Sequence, residues 1–419
     1  MHFLRVGLVF SASTLSKLLA GLIVVKIIAV YIGADGLGHL GQFMSLMSMV
    51  TIMAGGGITT GIVRYVAEFK DNHQELKDYL GAASLVTISA SLLLGVALLL
   101  SAPIISVWLL KTTAYADVIR ILAVAQFLIA STNFLMGLVN GHQRVNAFAI
   151  INGLSVAIGA TGVAVGCIFY GIKGAMYGLI WMSACPIIFL LPWYRLGLRF
   201  EWRILLPVWE RQRVMKFMGF SLMLLVTVVT MQMSQIVVRQ IIEARNSWVE
   251  VGYWQAVTRI SDAYLQFITV VLANYYLPRL AELRLRSEIR KEVNLVYKYA
   301  MPILILMSIS VYFCRNWIIL LLFSRAFLPM KEYFTWQLVG DAFKIAAYIG
   351  GYVAVARAKT MIYIAAEFYQ AGMLVLLCYF FVGKYGAVGA TYAYCINYIL
   401  YFIIVNSVLR LYLNEEGNV

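Results

Sequence analysis

The sequence predicts an all-α polytopic membrane protein with twelve transmembrane helices in two six-helix lobes. Of its 419 residues, 62% are hydrophobic and only 12% are charged, whereas a soluble domain is about half apolar and about a quarter charged. Apolar runs long enough to cross about 30 Å of hydrocarbon recur along the whole chain. No run alternates polar and apolar residues as the strands of a membrane barrel do. This composition excludes a water-soluble enzyme, a disordered protein and a secreted disulfide scaffold.

Each predicted helix rests on an apolar run of roughly 20 residues. The first run follows Arg5 and resembles a signal peptide, but it carries Lys17 and Lys26 and lacks an obvious cleavage site. We therefore expect it to be retained as helix one. The twelve predicted segments are 7–31, 40–62, 79–101, 118–139, 147–170, 174–193, 216–241, 253–276, 299–322, 334–355, 361–382 and 386–410.

Basic residues set the predicted orientation, because cytoplasmic loops of membrane proteins carry an excess of Lys and Arg. The chain has 33 Lys and Arg against 19 Asp and Glu, a net charge of +14. With both termini in the cytoplasm, twenty of these basic residues fall in cytoplasmic loops and six in outward loops. In a soluble protein this surplus would suggest nucleic acid. Here it indicates topology, and we expect no nucleic-acid partner.

Two cytoplasmic loops are especially basic. The 193–216 loop joins helices six and seven, so it predicts a division into an N-terminal lobe, 1–205, and a C-terminal lobe, 206–419. The 278–298 loop is expected to be solvated and to set topology, with anionic-lipid binding as the alternative. The outward loops are too short for an external catalytic domain, which argues against a membrane glycosyltransferase or polymerase.

Weak internal repetition supports the two lobes. Four pairs of identical residues or dipeptides recur about half a chain apart, among them Gln42 with Gln255, Gln126 with Gln337 and Arg144 with Arg357. Because each half contains an even number of helices, both halves have the same orientation in the membrane. The predicted lobes are therefore related by a pseudo-two-fold axis along the membrane normal, with a site between them near the midplane.

Motifs for cofactors are weak. The glycine pattern G-x-G-x-x-G at 36–41 follows no predicted strand and is expected in an outward turn, so it does not indicate dinucleotide binding. The sequence has no Walker A pattern, and an ATP-driven pump is unsupported. Five Cys lie in apolar segments without a C-x-x-C pair, and four His are unclustered. We interpret the Cys as packing residues and expect no metal and no cofactor.

The functional signal is charge inside predicted helices. An ionised side chain at the bilayer centre costs at least about 2.5–3.5 kcal/mol, so it normally faces a partner or a wet cavity. On helices eight and ten the polar residues recur at helical spacing and form one stripe each. The candidate substrate-binding residues are Lys17, Lys26, Arg239, Gln255, Arg259, Gln266, Gln337 and Lys344. The candidate counter-ions or ion-coupling groups are Asp262, Asp341 and Glu367.

Cations outnumber carboxylates by five to three in this set, which predicts an anionic ligand. Simpler interpretations remain open for several members. The i, i+3 pairs Arg259–Asp262 and Asp341–Lys344 could neutralise each other. Arg239 lies near the outer interface and could extend its guanidinium to the surface.

Several segments carry a resemblance to a known family. Residues 252–255 (GYWQ), 261–269 (SDAYLQFIT) and 336–341 (WQLVGD) resemble Wzx-type lipid-linked oligosaccharide flippases. Other stretches are similar to the wider multidrug/oligosaccharidyl-lipid/polysaccharide exporter superfamily. These stretches are the turn 33–38, the kink 55–58 and the pair 108–110 and 321–323. The resemblance extends over essentially the whole chain.

The resemblance implies a transporter, not an enzyme. Such flippases move an undecaprenyl-pyrophosphate-linked oligosaccharide, either enterobacterial common antigen lipid III or an O-antigen repeat unit. The movement runs from the cytoplasmic to the periplasmic leaflet of the bacterial inner membrane, by alternating access coupled to an ion gradient. The implied partners are this glycan, the lipid bilayer, a downstream polymerase and a chain-length regulator, and we expect a monomer. The alternative is a multidrug/cation antiporter of the same superfamily, whose cationic substrates would favour a net acidic cavity.

Overall fold

The protein was analysed as a computed structural model, which describes residues 21–69, 71–190, 206–357 and 360–414. Lys17 lies outside these residues. The helices of the first half are α1 (Gly21–Tyr31), α2 (Gly33–Ala54), α3 (Thr59–Glu68), α4 (His73–Leu110), α5 (Ala116–Gly141) and α6 (Val145–Ala184). The helices of the second half are α7 (Arg211–Arg245), α8 (Trp248–Val271), α9 (Leu277–Glu282), α10 (Arg286–Leu322), α11 (Phe334–Ala356), α12 (Thr360–Tyr385) and α13 (Gly389–Asn414).

Short helical turns connect some of these helices. Among the described residues, three of these are 3₁₀ segments, and one π-helical turn follows α8. The four turns are Thr113–Tyr115, Arg325–Tyr333, Gly386–Val388 and Leu272–Tyr276.

Local sequence explains where two long helices begin. The side chain of Asn72 accepts a hydrogen bond from the backbone N–H of Glu75 at 3.3 Å, and α4 starts at the next residue. Ser247 does the same for Glu250, also at 3.3 Å, and α8 follows. In each case a short polar side chain satisfies a backbone donor that the first turn of a helix leaves free. The Ser247 cap fixes where α8, which carries a polar stripe, begins.

The prediction of an all-α polytopic membrane protein is confirmed. The described residues contain nine helical stretches long and apolar enough to cross a membrane, by length and composition. Two of these stretches each contain two predicted segments. Gly171, with φ 58°, interrupts α6 between predicted helices five and six, and Gly386, with φ 65°, separates α12 from α13. The count of twelve stays a prediction, because most of helix one lies outside the described residues.

The prediction of an outward turn at 36–41 is wrong. These residues are helical and belong to the first turns of α2, which begins at Gly33. The helix ends instead at the glycine run after Ala54, where Gly56 and Gly57 have φ 64° and 67°. This positive φ is cheap only for glycine, and α3 resumes directly afterwards. Predicted helix two is therefore two helices joined by a glycine turn.

The prediction of a loop at 278–298 is also wrong, because most of this segment is helical. α9 occupies its first residues, and α10 begins at Arg286 and runs for 37 residues. At a rise of about 1.5 Å per residue, α10 is much longer than the hydrocarbon core is thick. The side chain of Glu288 accepts a hydrogen bond from the backbone N–H of Leu285 at 3.4 Å, which stabilises the start of the helix. The basic segment is thus a helical extension of a membrane span.

The chain forms two compact units. Residues up to 32 and from 42 to 232 belong to one, and residues 33–41 and 233 onward belong to the other. The first unit has an apolar core in which the rings of Tyr65 and Tyr79 stack 4.4 Å apart, with Phe217 edge-on to Tyr65 at 5.2 Å. Beside this core, Arg213 pairs with Glu75, Asp78 and Glu210 at 3.1, 2.7 and 3.0 Å. Apart from Lys26, the candidate site residues that the structure describes lie in the second unit.

Candidate functional site

A fully buried carboxylate lies at the centre of the second unit. Asp341 on α11 has no exposed surface. Its two oxygens accept hydrogen bonds from the hydroxyls of Tyr264 and Tyr394, at 2.6 and 2.7 Å. The side-chain amide of Gln337 donates a longer bond, 3.4 Å, and the Ser261 hydroxyl also hydrogen-bonds to it. Ser261, Tyr264, Gln337, Asp341 and Tyr394 are called the aspartate cluster below.

Helical spacing brings the aspartate cluster together. Gln337 and Asp341 are four residues apart on α11, and Ser261 and Tyr264 are three apart on α8, so each pair shares one helix face. The third helix, α13, approaches α11 closely at Gly340. A Cβ built on Gly340 would lie 2.5 Å from Cδ1 of Tyr394. The absence of a side chain there allows the Tyr394 hydroxyl to reach Asp341.

One turn further along α11, Lys344 has different surroundings. Its side chain is half-buried, and its ammonium lies 6.0 and 5.6 Å from the ring centroids of Tyr394 and Tyr398. It interacts electrostatically with Asp341 and Asp262. In the described part of the chain, no carboxylate lies within 4.0 Å of its ammonium, so the direct Asp341–Lys344 ion pair considered above is not formed.

A second cation is buried where α7 and α8 meet. Arg239 is only 5% exposed, and its Nε donates a 2.9 Å hydrogen bond to the side-chain oxygen of Gln255. Its guanidinium carbon lies 5.5 Å from the ring of Trp254. It also interacts electrostatically with Arg259 and Asp262. The guanidinium is therefore held inside the protein rather than extended to the surface. Arg239, Trp254 and Gln255 are called the arginine cluster.

The glycine pattern at the start of α2 serves this same region. A Cβ on Gly41 would lie 2.8 Å from Oε1 of Gln255 and 3.1 Å from Nε of Arg239. A Cβ on Gly38 would lie 2.6 Å from the carbonyl oxygen of Trp248. The motif therefore lets α2 approach α8 closely, as small residues do where membrane helices cross. This packing accounts for the G-x-G-x-x-G pattern without a nucleotide.

A third polar group lies on α11, α12 and α13. The hydroxyls of Tyr348 and Tyr398 hydrogen-bond to each other, and their ring centroids are 6.5 Å apart. The half-buried Glu367 interacts electrostatically with both of these tyrosines and with Tyr401. Tyr348, Glu367, Tyr398 and Tyr401 are called the tyrosine cluster. Through Lys344, which interacts electrostatically with Tyr348, this cluster adjoins the aspartate cluster.

The structure brings together most of the residues predicted on helices seven, eight, ten and eleven. Arg259 and Gln266 are half-buried on α8, and Asp262 is exposed between them. Lys26 is exposed on α1 in the first unit, and Lys17 lies outside the described residues. No group of three His, Cys, Asp or Glu in the described ranges is arranged to hold a metal ion.

Sequence reasoning missed the tyrosines. Tyr394, Tyr398 and Tyr401 have the spacing i, i+4, i+7 and form one stripe on α13. That spacing is a usable signal, but the predicted site rests on charged and amide side chains, and tyrosine is neither. Their role depends on hydroxyl groups that meet Asp341 and Glu367 from another helix, which the sequence of α13 alone does not reveal.

Comparison with known proteins identifies relatives along the whole chain. Residues 3–284 match the family model described as polysaccharide biosynthesis protein. The chain is 35% identical over 416 residues to the lipid III flippase of Escherichia coli (strain K12), covering 98% of this chain and 99% of the relative. The lipid III flippase of Shigella flexneri matches with the same identity and coverage.

Solved structures agree on the fold. An inward-facing multidrug resistance MATE family transporter of the MOP superfamily superposes with a TM-score of 0.76 at 14% identity, over 95% of this chain and 94% of that one. The lipid II flippase MurJ, in an inward closed conformation, superposes with a TM-score of 0.75 at 15% identity, over 96% and 87%. At these identities the likeness shows a shared fold. With the family match and the full-length relatives, it establishes that the chain belongs to the polysaccharide biosynthesis protein family.

Proposed function

We propose that this protein is a flippase for a polyprenyl-pyrophosphate-linked oligosaccharide. It moves the glycan from the cytoplasmic to the periplasmic leaflet of the bacterial inner membrane by alternating access. The cargo is undecaprenyl-pyrophosphate-linked and is either enterobacterial common antigen lipid III or an O-antigen repeat unit. The protein catalyses no chemical reaction. The observation that carries this proposal is the full-length identity of 35% to relatives named lipid III flippase.

The charges of the second unit support an anionic cargo. A pyrophosphate and its sugars cannot cross hydrocarbon unaided, because each buried charge and unpaired hydroxyl costs several kcal/mol, roughly 2–7 for a neutral polar group alone. Lys344 is half-buried and makes no ion pair with a carboxylate in the described residues, and Arg239 is bonded to a neutral amide. In the proposed mechanism, both cations bind phosphate oxygens of the cargo.

The proposal assigns a role in transport to each candidate polar residue. Lys17, Lys26, Arg259 and the two cations above form the proposed anion-binding set. The amides of Gln255, Gln266 and Gln337 would hydrogen-bond to sugars or orient the cations. Asp262, Asp341 and Glu367 act as counter-ions or carry the coupling ion. In this account a proton on Asp341 would weaken its bonds to the tyrosine hydroxyls and so link its charge to the packing of α8 against α13.

The proposal includes the orientation of the chain in the membrane and its division into two lobes. Both termini lie in the cytoplasm, and six-helix lobes comprise 1–205 and 206–419. The buried state of two repeat-related pairs supports the internal symmetry. Gln42 and Gln255 are 0% and 2% exposed, and Gln126 and Gln337 are 0% and 1% exposed. The protein works as a monomer with the downstream polymerase and chain-length regulator.

A multidrug/cation antiporter is the second candidate, because a solved multidrug transporter shares the fold at a TM-score of 0.76. Its cationic substrates would be repelled by Lys344 and Arg239, and this repulsion places the antiporter second.

A deletion strain tests the proposed function. Loss of the protein should leave lipid-linked repeat units on the cytoplasmic side and remove the corresponding surface glycan, and mass spectrometry of the accumulated lipid would identify the sugars. The wild-type chain supplied from a plasmid should restore the glycan. A deletion that changes drug resistance without altering any surface glycan would instead favour the antiporter.

A further inference from the structure

The second unit contains a cavity that adjoins the polar clusters only at Tyr401. It has a volume of about 380 Å³ and lies among the later turns of α11, the first turns of α12 and the last turns of α13. Ligand pockets commonly measure about 300–1,000 Å³, so this cavity has room for a substantial ligand. By the predicted topology these helix segments lie in the cytoplasmic half of the membrane.

The walls of the cavity are mostly apolar, and small residues keep it open. Its lining includes Ala366, Val405 and Val408. The consecutive residues Gly350 and Gly351 form part of the α11 wall. A Cβ on Gly351 would meet only the Tyr401 hydroxyl, at 4.0 Å, so a larger side chain there would extend into the cavity. A hydrocarbon chain fits such walls, because they offer few hydrogen-bonding groups.

One arginine lines the cavity, and a second lies beside a lining tyrosine. Arg357 lines it, and its Nη2 donates a 2.6 Å bond to the backbone oxygen of Leu283. Among the described residues, no carboxylate lies within 4.0 Å of Arg357, and its buried Nε has no acceptor. Tyr412 also lines the cavity, and the guanidinium of Arg286 lies 5.0 Å from its ring. Arginine binds phosphate oxygens through paired N–H groups.

We propose that this cavity binds part of the polyprenyl chain of the lipid-linked cargo, with a phosphate at Arg357. This inference rests on the proposed function and adds the place where the lipid is recognised. A polyprenyl chain gains little by leaving bilayer hydrocarbon for a protein wall, so close packing and the phosphate contact have to supply the selectivity. An apolar cavity with an arginine, which the predicted topology places near the cytoplasmic headgroups, provides both. The cavity therefore holds the lipid where it enters from the cytoplasmic leaflet.

Binding to the full-length protein, purified in detergent, tests the proposal by native mass spectrometry with undecaprenyl phosphate as the probe. Gly351→Phe should place a ring in the cavity and weaken binding by about tenfold or more, equivalent to about 1.4 kcal/mol. The same change at Gly372, on α12, is the matched control, because a Cβ there meets nothing within 4 Å. Arg357→Gln should also weaken binding, and it provides a second variant should Gly351→Phe fail to fold.

Equal binding by the wild type, Gly351→Phe and Arg357→Gln would overturn the proposal. Equal competition by phosphatidylglycerol would also overturn it, because the cavity would then be a general lipid site. The binding assay involves no transport, so the two proposals fail separately. Weakened binding in the variants, with no lipid-linked glycan accumulating in the deletion strain, would contradict the proposed function alone. Accumulation of that glycan, with unchanged binding in the variants, would contradict the cavity alone.

Discussion

Asp341 and Lys344 lie one helical turn apart on α11, yet their environments differ. The carboxylate accepts hydrogen bonds from two tyrosine hydroxyls and an amide, so its charge is compensated within the protein. The ammonium has tyrosine rings at 5.6 and 6.0 Å instead. An ammonium in that position retains its capacity for an anionic ligand. We therefore propose that Asp341 mainly stabilises the fold and that Lys344 binds the cargo.

Lys344→Ala should severely impair transport without destabilising the protein. Removing a charge from the membrane interior is favourable for folding. The lost charge-assisted contact, worth about 1.5–3 kcal/mol, should reduce surface glycan by at least about tenfold. Lys384→Ala is the control, because that exposed lysine also lies over a tyrosine ring, at 5.3 Å. Normal surface glycan in Lys344→Ala cells, with normal protein levels, would rule out the assigned role.

Asp341→Ala should mainly destabilise the protein. It leaves the hydroxyls of Tyr264 and Tyr394 without their acceptor, at a cost of about 1–3 kcal/mol for each buried group. The unfolding temperature in detergent should fall clearly, and it should fall less in Tyr264→Phe, which removes one donor and leaves the others bonded. An unchanged unfolding temperature in Asp341→Ala would mean that the aspartate cluster contributes little to stability.

At the scale of elements, glycines decide where helices meet. Gly38 and Gly41 bring α2 onto α8, and Gly340 brings α13 onto α11. These crossings place the arginine and aspartate clusters, because each depends on side chains from different helices. Packing of small residues is a main source of helix association in membranes, where the lipid is as apolar as the helix surface.

Gly38→Leu should therefore disrupt the α2–α8 crossing. The added side chain would press on the backbone of α8, since even a Cβ would lie 2.6 Å from the Trp248 carbonyl oxygen. Less folded protein and a lower unfolding temperature should result, measured by size-exclusion chromatography and thermal unfolding. Gly153→Leu on α6 is the matched control, because a Cβ there meets nothing within 4 Å. Identical behaviour of the two variants would contradict the packing role.

Helix positions could be predicted well from hydropathy, but helix ends and partners could not. Predicted helix ten, 334–355, differs from α11 by one residue. The 278–298 segment was expected to be a loop because it is polar, whereas it is a helical extension. Hydropathy reports burial in lipid, and it is silent on helices that continue into water. Likewise, polar spacing identified Asp341 and Lys344. Their tyrosine neighbours on α13 could not be predicted, because these contacts depend on how three helices pack.

For the whole molecule, the charge distribution predicts both topology and cargo. Most of the surplus of +14 lies in predicted cytoplasmic loops, where it sets orientation. The few cations within helices carry the argument for an anionic cargo. The predicted orientation and the predicted anionic cargo can be tested separately. The first depends on basic residues in loops, and the second depends on cations within helices of the second unit.

Single cysteines test the orientation. In a variant whose five native cysteines are replaced by alanine, Asn246→Cys should react in intact cells with a thiol reagent that cannot cross the inner membrane. Gln143→Cys should react only after the membrane is opened. Both positions are exposed at helix junctions, so access depends on the side of the membrane. The reverse pattern would invert the predicted topology.

The central claim is that the protein carries a lipid-linked glycan across the bilayer, and reconstituted transport tests it most directly. Proteoliposomes would contain the lipid extracted from the deletion strain, and an impermeant glycan-modifying reagent would report the fraction in the outer leaflet over time. Wild-type protein should bring lipid from the inner leaflet within reach, whereas Lys344→Ala and protein-free liposomes should not. The proposed function would be contradicted if the reagent modified the same fraction of the glycan lipid in all three samples and that fraction did not change with time.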